Sequence, residues 1–301
     1  MNPARRLTTQ ILARVPKRGE VAARRLMLRW GMLTAPARMV PDMIIVGAQR
    51  AGTTTLFRML SDHPQVTRPT LSKGTAYFDL HHHRGMRWYR AHFPLKVVAW
   101  ARSPRKRRLT FESCGYYMFH PLAAGRMKEQ LPDVRVVVLL RDPVDRAYSA
   151  HRHELRRGFE TLDFDDALQQ EEERLRGEEE RLREDPIVRS LAHQHQAYLA
   201  RSRYAEQVRR LFDTFGRDRV LVMDAEALFA DPKGEFTRLC AWLGIDPPAE
   251  VGDEQWNAEP RDPLTPERRA ELTAYFAPYD EELATLLGRP LSWRAPSPGS
   301  S

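Results

Sequence analysis

An α/β fold, a central parallel sheet with helices on both faces, is what this sequence predicts. Three observations carry the prediction. The apolar runs Met43–Val46, Val134–Leu140 and Arg219–Met223 have strand length and little polar alternation, as strands covered on both faces do. Each run leads into a helix-like segment. Two of those helix starts, Asp142-Pro143 and Asp231-Pro232, put a capping carboxylate before a proline suited to the first helical position.

Taken in order, Met43–Val46 is the first strand and ends in Gly47. Thr53 to Leu60 follows as a helix, with apolar residues at 56, 57, 59 and 60. Val134–Leu140 is the second strong strand, and its helix begins at Pro143. Residues 163–200 read as charged surface helices, because Glu171–Gly177 is nearly repeated from Glu178 to Glu184. Thr265-Pro266-Glu267 opens the last helix, with Leu272, Tyr275, Phe276, Leu283, Leu286 and Leu287 as its apolar positions. With no interior linker, residues 41–294 form one domain, and the Pro/Ser/Gly-rich residues 295–301 are expected to be a disordered tail.

The 301 residues are 42% hydrophobic and 29% charged, as in ordinary globular proteins. The net charge of +8 is unevenly placed. Residues 1–40 hold nine basic residues and one acid, so they carry all of it. The remainder has equal numbers of each sign, which argues against a domain built around one large basic face and against a nucleic-acid partner. The basic arm interleaves Leu26, Met27, Leu28, Trp30, Met32 and Leu33 with Arg24, Arg25 and Arg29. It reads either as a helix packed on the domain or frayed from it, or as an amphipathic helix for an anionic membrane surface. No run approaches a membrane span, no secretory signal is evident, and two cysteines (Cys114, Cys240) make no disulfide framework. The expectation is a cytoplasmic protein, with peripheral contact to the inner membrane face through residues 1–40.

Two segments carry chemistry. In Gly47-Ala48-Gln49-Arg50-Ala51-Gly52-Thr53-Thr54-Thr55, a buried strand runs into a loop with two glycines, and hydroxyl residues then open a helix. Such a loop cradles an anion with backbone amides, and Arg50 adds a forked cation. The nucleotide-triphosphate loop needs Gly-Lys-Ser/Thr, and here Gly52 precedes Thr53. In the second segment, Arg141 stands at the carboxyl end of a strand, and Ser149 follows eight residues later. That is where open α/β sheets bind ligands, and this pair can share a phosphate.

Together these segments resemble the sulfotransferase superfamily, whose loop reads roughly Gly-x-x-Lys-x-Gly-Thr-Thr-x-Leu. The family's second motif, roughly Leu-Leu-Arg-Asn/Asp-Pro-x-x-Arg-Ala-Tyr-Ser, is similar to Leu139–Ser149. Lys73–Asp79 and Trp88–Pro94 resemble stretches of the heparan-sulfate-type and bacterial carbohydrate-type branches. The resemblance covers residues 42 to about 294. It implies a P-loop-like three-layer fold and transfer of a sulfuryl group from 3′-phosphoadenosine 5′-phosphosulfate (PAPS) to an acceptor hydroxyl of a carbohydrate, glycolipid or small metabolite. It also implies that Arg50, Ala51, Gly52, Thr53, Thr54 and Thr55 bind the 5′-phosphosulfate. Arg141 and Ser149 then hold the 3′-phosphate, and Arg261 lies in a closing loop that matches poorly.

Two departures bear on mechanism. The family's loop Lys is Arg50 here, and its Glu base, directly after a second Lys, is Gly74. Lys73 is then an electrostatic contact near the transferred group. The proton acceptor falls to Glu112, in a segment similar to one lining the family's acceptor cleft, or to one of His81, His82 and His83, with His82 taken as representative. Three consecutive histidines cannot all face one ion on a regular element, so no metal is expected. The competing readings are a P-loop kinase or NTPase, and a membrane- or nucleic-acid-binding protein acting through the basic arm.

Overall fold

A computed structural model of the chain describes residues 17–102, 108–248 and 263–294, with side chains from residue 21. Its strands are β1 (Met43–Gly47), β2 (Val66–Thr67), β3 (Leu109–Ser113), β4 (Arg135–Leu140) and β5 (Val220–Asp224). They form one sheet in the order β2-β3-β1-β4-β5, and every pairing is parallel. Met43 sits opposite both Phe111 and Arg135, which centres β1 in the sheet.

Alternation along the strands divides the core into two layers. Ile44, Val46, Val136, Val138 and Leu140 face one side, packing with Met127, Val208, Leu211 and Leu283 of the helices Ala123–Gln130, Tyr204–Phe215 and Pro266–Leu287. Met43, Ile45, Val137 and Leu139 face the other, against Leu56, Leu228, Phe236 and Leu239 of the helices Thr53–Asp62, Ala225–Ala230 and Pro232–Leu243. The sheet is therefore the middle of three layers, as the strand runs imply.

The helix starts fold as their residues dictate. Asp142 accepts hydrogen bonds from the Val144 and Asp145 amides at 2.8 and 3.0 Å, and Asp231 accepts from Gly234. The charged repeat forms two helices, Phe164–Leu175 and Glu178–Glu184, broken at the left-handed Gly177. The aromatic residues Tyr77, Phe78, Trp88, Tyr89 and Phe93 are all core. Within the basic arm, Lys17–Leu33 is a helix whose Leu28 and Met32 pack against the domain. The tail 295–301 and the expected closing-loop residue Arg261 lie outside the described residues.

Candidate active site

The carboxyl ends of β1, β3 and β4 bring the site together. After Gly47 the chain turns through residues 48–52 into the helix Thr53–Asp62. Gly52 is the cap, with φ of +88°, and a Cβ there would stand 2.8 Å from the Phe229 ring. Glycine is required on both counts. Arg50 is also left-handed, at φ +71°, a conformation costing about 1–2 kcal/mol for a residue with a Cβ. A helix N-terminus at this turn is where backbone amides can meet an anion, and the Thr55 amide already bonds the Gly52 carbonyl at 3.0 Å.

Residues distant in sequence converge on this turn. Arg50 Nε donates to Ser149 Oγ at 3.0 Å, across 99 positions. Arg141 Nη1 lies 3.4 Å from the Arg50 carbonyl, and its Nη2 pairs with Asp145 at 3.2 Å. The Tyr204 hydroxyl holds the Arg141 carbonyl at 2.9 Å. Lys73 arrives from the other side, its Nζ donating to Thr54 Oγ1 at 3.1 Å and Thr53 Oγ1 at 3.4 Å. Burial lowers the Lys73 ammonium to a pKa of about 8, and Arg58 pushes it the same way. Three cations and a helix N-terminus therefore share one small region.

Gly74 has a structural reason. The Lys73 carbonyl accepts from the Ser113 amide at 3.0 Å, so this loop lies flat on the end of β3. A Cβ at position 74 would stand 2.3 Å from the Ser113 carbonyl oxygen. No side chain fits there without moving Lys73.

The two expected proton acceptors are held by other residues. Glu112, expected to line an acceptor cleft, is fully buried. Its Oε2 accepts from the Thr75 amide at 3.2 Å and the Thr75 hydroxyl at 2.8 Å, beneath the loop that carries Lys73. Burial raises its pKa to about 7, with Thr75 and Tyr117 pulling it down. β3 turns this side chain inward, and the loop covers it. His82 accepts from the Gln130 side-chain amide at 2.9 Å, and its ring lies 5.4 Å from that of Tyr77. Among the expected site residues that are described, Arg50, Thr53, Thr54, Lys73, Arg141 and Ser149 meet through these contacts, while Glu112 lies beneath the Lys73 loop and His82 bonds Gln130.

Sequence reading missed a group that does adjoin the loop. Gln49, next to Arg50, donates to Glu154 Oε1 at 3.1 Å. Glu154 Oε2 contacts His195 Nδ1 at 3.0 Å, and Arg157 also pairs with this carboxylate. Burial works to raise the Glu154 pKa, but His195 and Arg157 hold it below the usual carboxylate value. The His195 ring stacks on Phe159 at 3.9 Å between centroids. Glu154 lies on the same helix as Ser149, yet its separation of 41 residues from His195 gave no motif to read.

Comparison with known proteins agrees with this geometry. The sulfotransferase domain family matches residues 40–258. A solved sulfotransferase from Alicyclobacillus acidocaldarius is 33% identical, with a TM-score of 0.65, covering 85% of this chain and all of that one. A membrane-associated sulfotransferase of Dictyostelium discoideum is 23% identical over 85% of this chain and 67% of that protein. A mouse heparan sulfate glucosamine 3-O-sulfotransferase is 26% identical over 70% of this chain, which spans about half of that relative's length (48%). The loop, the strand-end arginine and the matched span together place this chain in the sulfotransferase domain family.

Proposed function

We propose that the protein transfers a sulfuryl group from PAPS to a hydroxyl of a carbohydrate-class acceptor. The observation that carries this reading is the Arg50–Ser149 hydrogen bond, which joins the two anion-binding segments into one site. The residues fit a donor with phosphate at both ends. Arg50, Ala51, Gly52, Thr53, Thr54 and Thr55 offer amides, hydroxyls and a guanidinium for the 5′ end. Arg141 and Ser149 serve the 3′ phosphate. PAPS supplies the activated sulfuryl group and a phosphate leaving group. The acceptor class follows the mouse relative, whose name specifies a glucosamine of heparan sulfate.

The chain's own residues supply charge stabilisation and proton transfer. Lys73, bonded to Thr54 of the anion loop, and the loop amides would meet the negative charge growing on the departing oxygen. As the acceptor oxygen bonds to sulfur, its proton goes to His195 Nε2. Glu154 is held as a carboxylate and can only accept, so Nδ1 of His195 is the donor in this contact and Nε2 is the nitrogen left for the acceptor. Gln49 ties this pair to the anion loop. The kinase reading finds less support. Asp224, the acid at the end of β5, is gripped by Arg289 at 2.7 and 2.8 Å rather than free for Mg²⁺.

The test is incubation with PAPS labelled in its sulfuryl group and a panel of carbohydrate, glycolipid and small-molecule acceptors. Label should enter a carbohydrate hydroxyl. His195→Gln should lower kcat by about 10²–10⁴-fold while adenosine 3′,5′-bisphosphate still binds. Mg²⁺-dependent ATP turnover with no sulfuryl transfer would replace this reading with the kinase one.

A further inference from the structure

The helix Lys17–Leu33 has two apolar faces, and only one is used by the fold. Leu28 and Met32 pack on the core, and Gly31 lies against Ala91 so closely that a Cβ would stand 2.7 Å away. On the other side Leu26, Trp30 and Leu33 repeat at the four- and three-residue spacing of a helical stripe. They are 69%, 48% and 77% exposed, with Met27 beside them. Arg25 and Arg29 flank this stripe.

A second element repeats the pattern. The short helix Lys96–Arg102 buries Ala99 but leaves Val97 and Trp100 both 64% exposed. From Lys96 to Arg108 the sequence has six basic residues and no acid. The charge balance of residues 41–301 hides this local excess. Arg38 connects the two elements. Its guanidinium lies 5.8 Å from the Trp30 ring centre, and its backbone bridges Leu95, the residue before the second helix.

Charge alone would suit any polyanion. Two tryptophans and a stripe of Leu, Met and Val held out in water suit a surface that is anionic outside and apolar just beneath. From these contacts we infer that the helices Lys17–Leu33 and Lys96–Arg102 together form a docking face for an anionic lipid bilayer. The tryptophans and leucines enter the headgroup boundary, and Arg25, Arg29 and Lys96 meet the lipid charge. Among the described residues no helix is long and apolar enough to span a membrane, so the contact is peripheral.

Sedimentation of the full chain with vesicles tests this. Binding to phosphatidylcholine–phosphatidylglycerol vesicles should exceed binding to phosphatidylcholine alone and fall with salt. Arg25→Ser with Arg29→Ser should weaken it roughly 25-fold, a factor of five for each charge removed near an anionic surface. Trp30→Ser and Trp100→Ser should each weaken it several-fold, while binding of adenosine 3′,5′-bisphosphate and the circular dichroism spectrum stay unchanged. Equal binding to both vesicle types would overturn the inference. So would loss of binding in Trp30→Ser with none in Trp100→Ser, which would leave the first helix acting alone. Tryptophan-independent binding displaced equally by heparin or DNA would reassign the face to a soluble polyanion. Self-association abolished by the same substitutions, with no vesicle binding, would reassign it to a second copy of the chain.

Discussion

Lys73 offers a titration that reports on the site directly. Its ammonium is buried against Thr53 and Thr54, and its pKa is lowered to about 8. A bound phosphate beside it restores the charged form and lifts that pKa again. The second ionisation of a phosphate monoester, near pH 6, is about nine-tenths complete at pH 7, so the ligand titrates little in this window. Between pH 7 and pH 9 the free protein's Lys73 goes from about nine-tenths to about one-tenth charged. Binding at pH 9 must therefore first recover that proton, which weakens adenosine 3′,5′-bisphosphate about ten-fold relative to pH 7. Calorimetry across this range should show the weakening and proton uptake at the alkaline end. Lys73→Met should bind more weakly at pH 7 and show almost no pH dependence. A flat profile in the natural protein, or the same slope in Lys73→Met, would refute the placement of Lys73 at the anion.

The burial of other groups leads to further outcomes. Gly74→Ala places a Cβ 2.3 Å from the Ser113 carbonyl. It should cost about 1–3 kcal/mol of stability, as overpacking does, and weaken nucleotide binding by moving Lys73; an unchanged melting temperature would contradict this. Glu112 binds its proton more tightly in the folded chain, with a pKa near 7 against 4.5 for an ordinary glutamate. The protonated form thus favours folding, and this contribution is lost as pH rises from about 4.5 to 7. Glu112→Gln should gain stability relative to the natural protein at pH 8, by about 2–3 kcal/mol at most, and keep sulfuryl transfer. Loss of transfer with the fold intact would return Glu112 to the chemistry.

What could be read in advance depended on how local the determinants were. β1, β4 and β5 are continuous apolar runs, and their sequence predictions fall within a residue or two of the observed ends. The anion loop is a local motif, and its glycine and hydroxyl residues fold as read. β3 was not evident, because Thr110, Glu112 and Ser113 interrupt it with polar side chains. Two of those groups have distant partners: Thr110 donates to the Thr67 carbonyl at 2.7 Å, and Glu112 Oε2 accepts from Thr75. Missing β3 also left the burial of Glu112 unread. The His82–Gln130 contact spans 48 positions and was equally unreadable. Glu154 and His195 come from different helices, and no spacing rule anticipates their contact.

The measurement that bears most directly on the central claim is calorimetric binding of adenosine 3′,5′-bisphosphate. Arg141 is fixed beside Arg50 and Ser149, so the protein should bind this ligand saturably and in preference to ATP. Arg141→Ala should weaken binding about 10- to 100-fold, the value of a charge-assisted hydrogen bond, without unfolding the chain. Tight ATP binding with no saturable binding of the bisphosphate, or an Arg141→Ala protein that binds as the natural one does, would contradict the account.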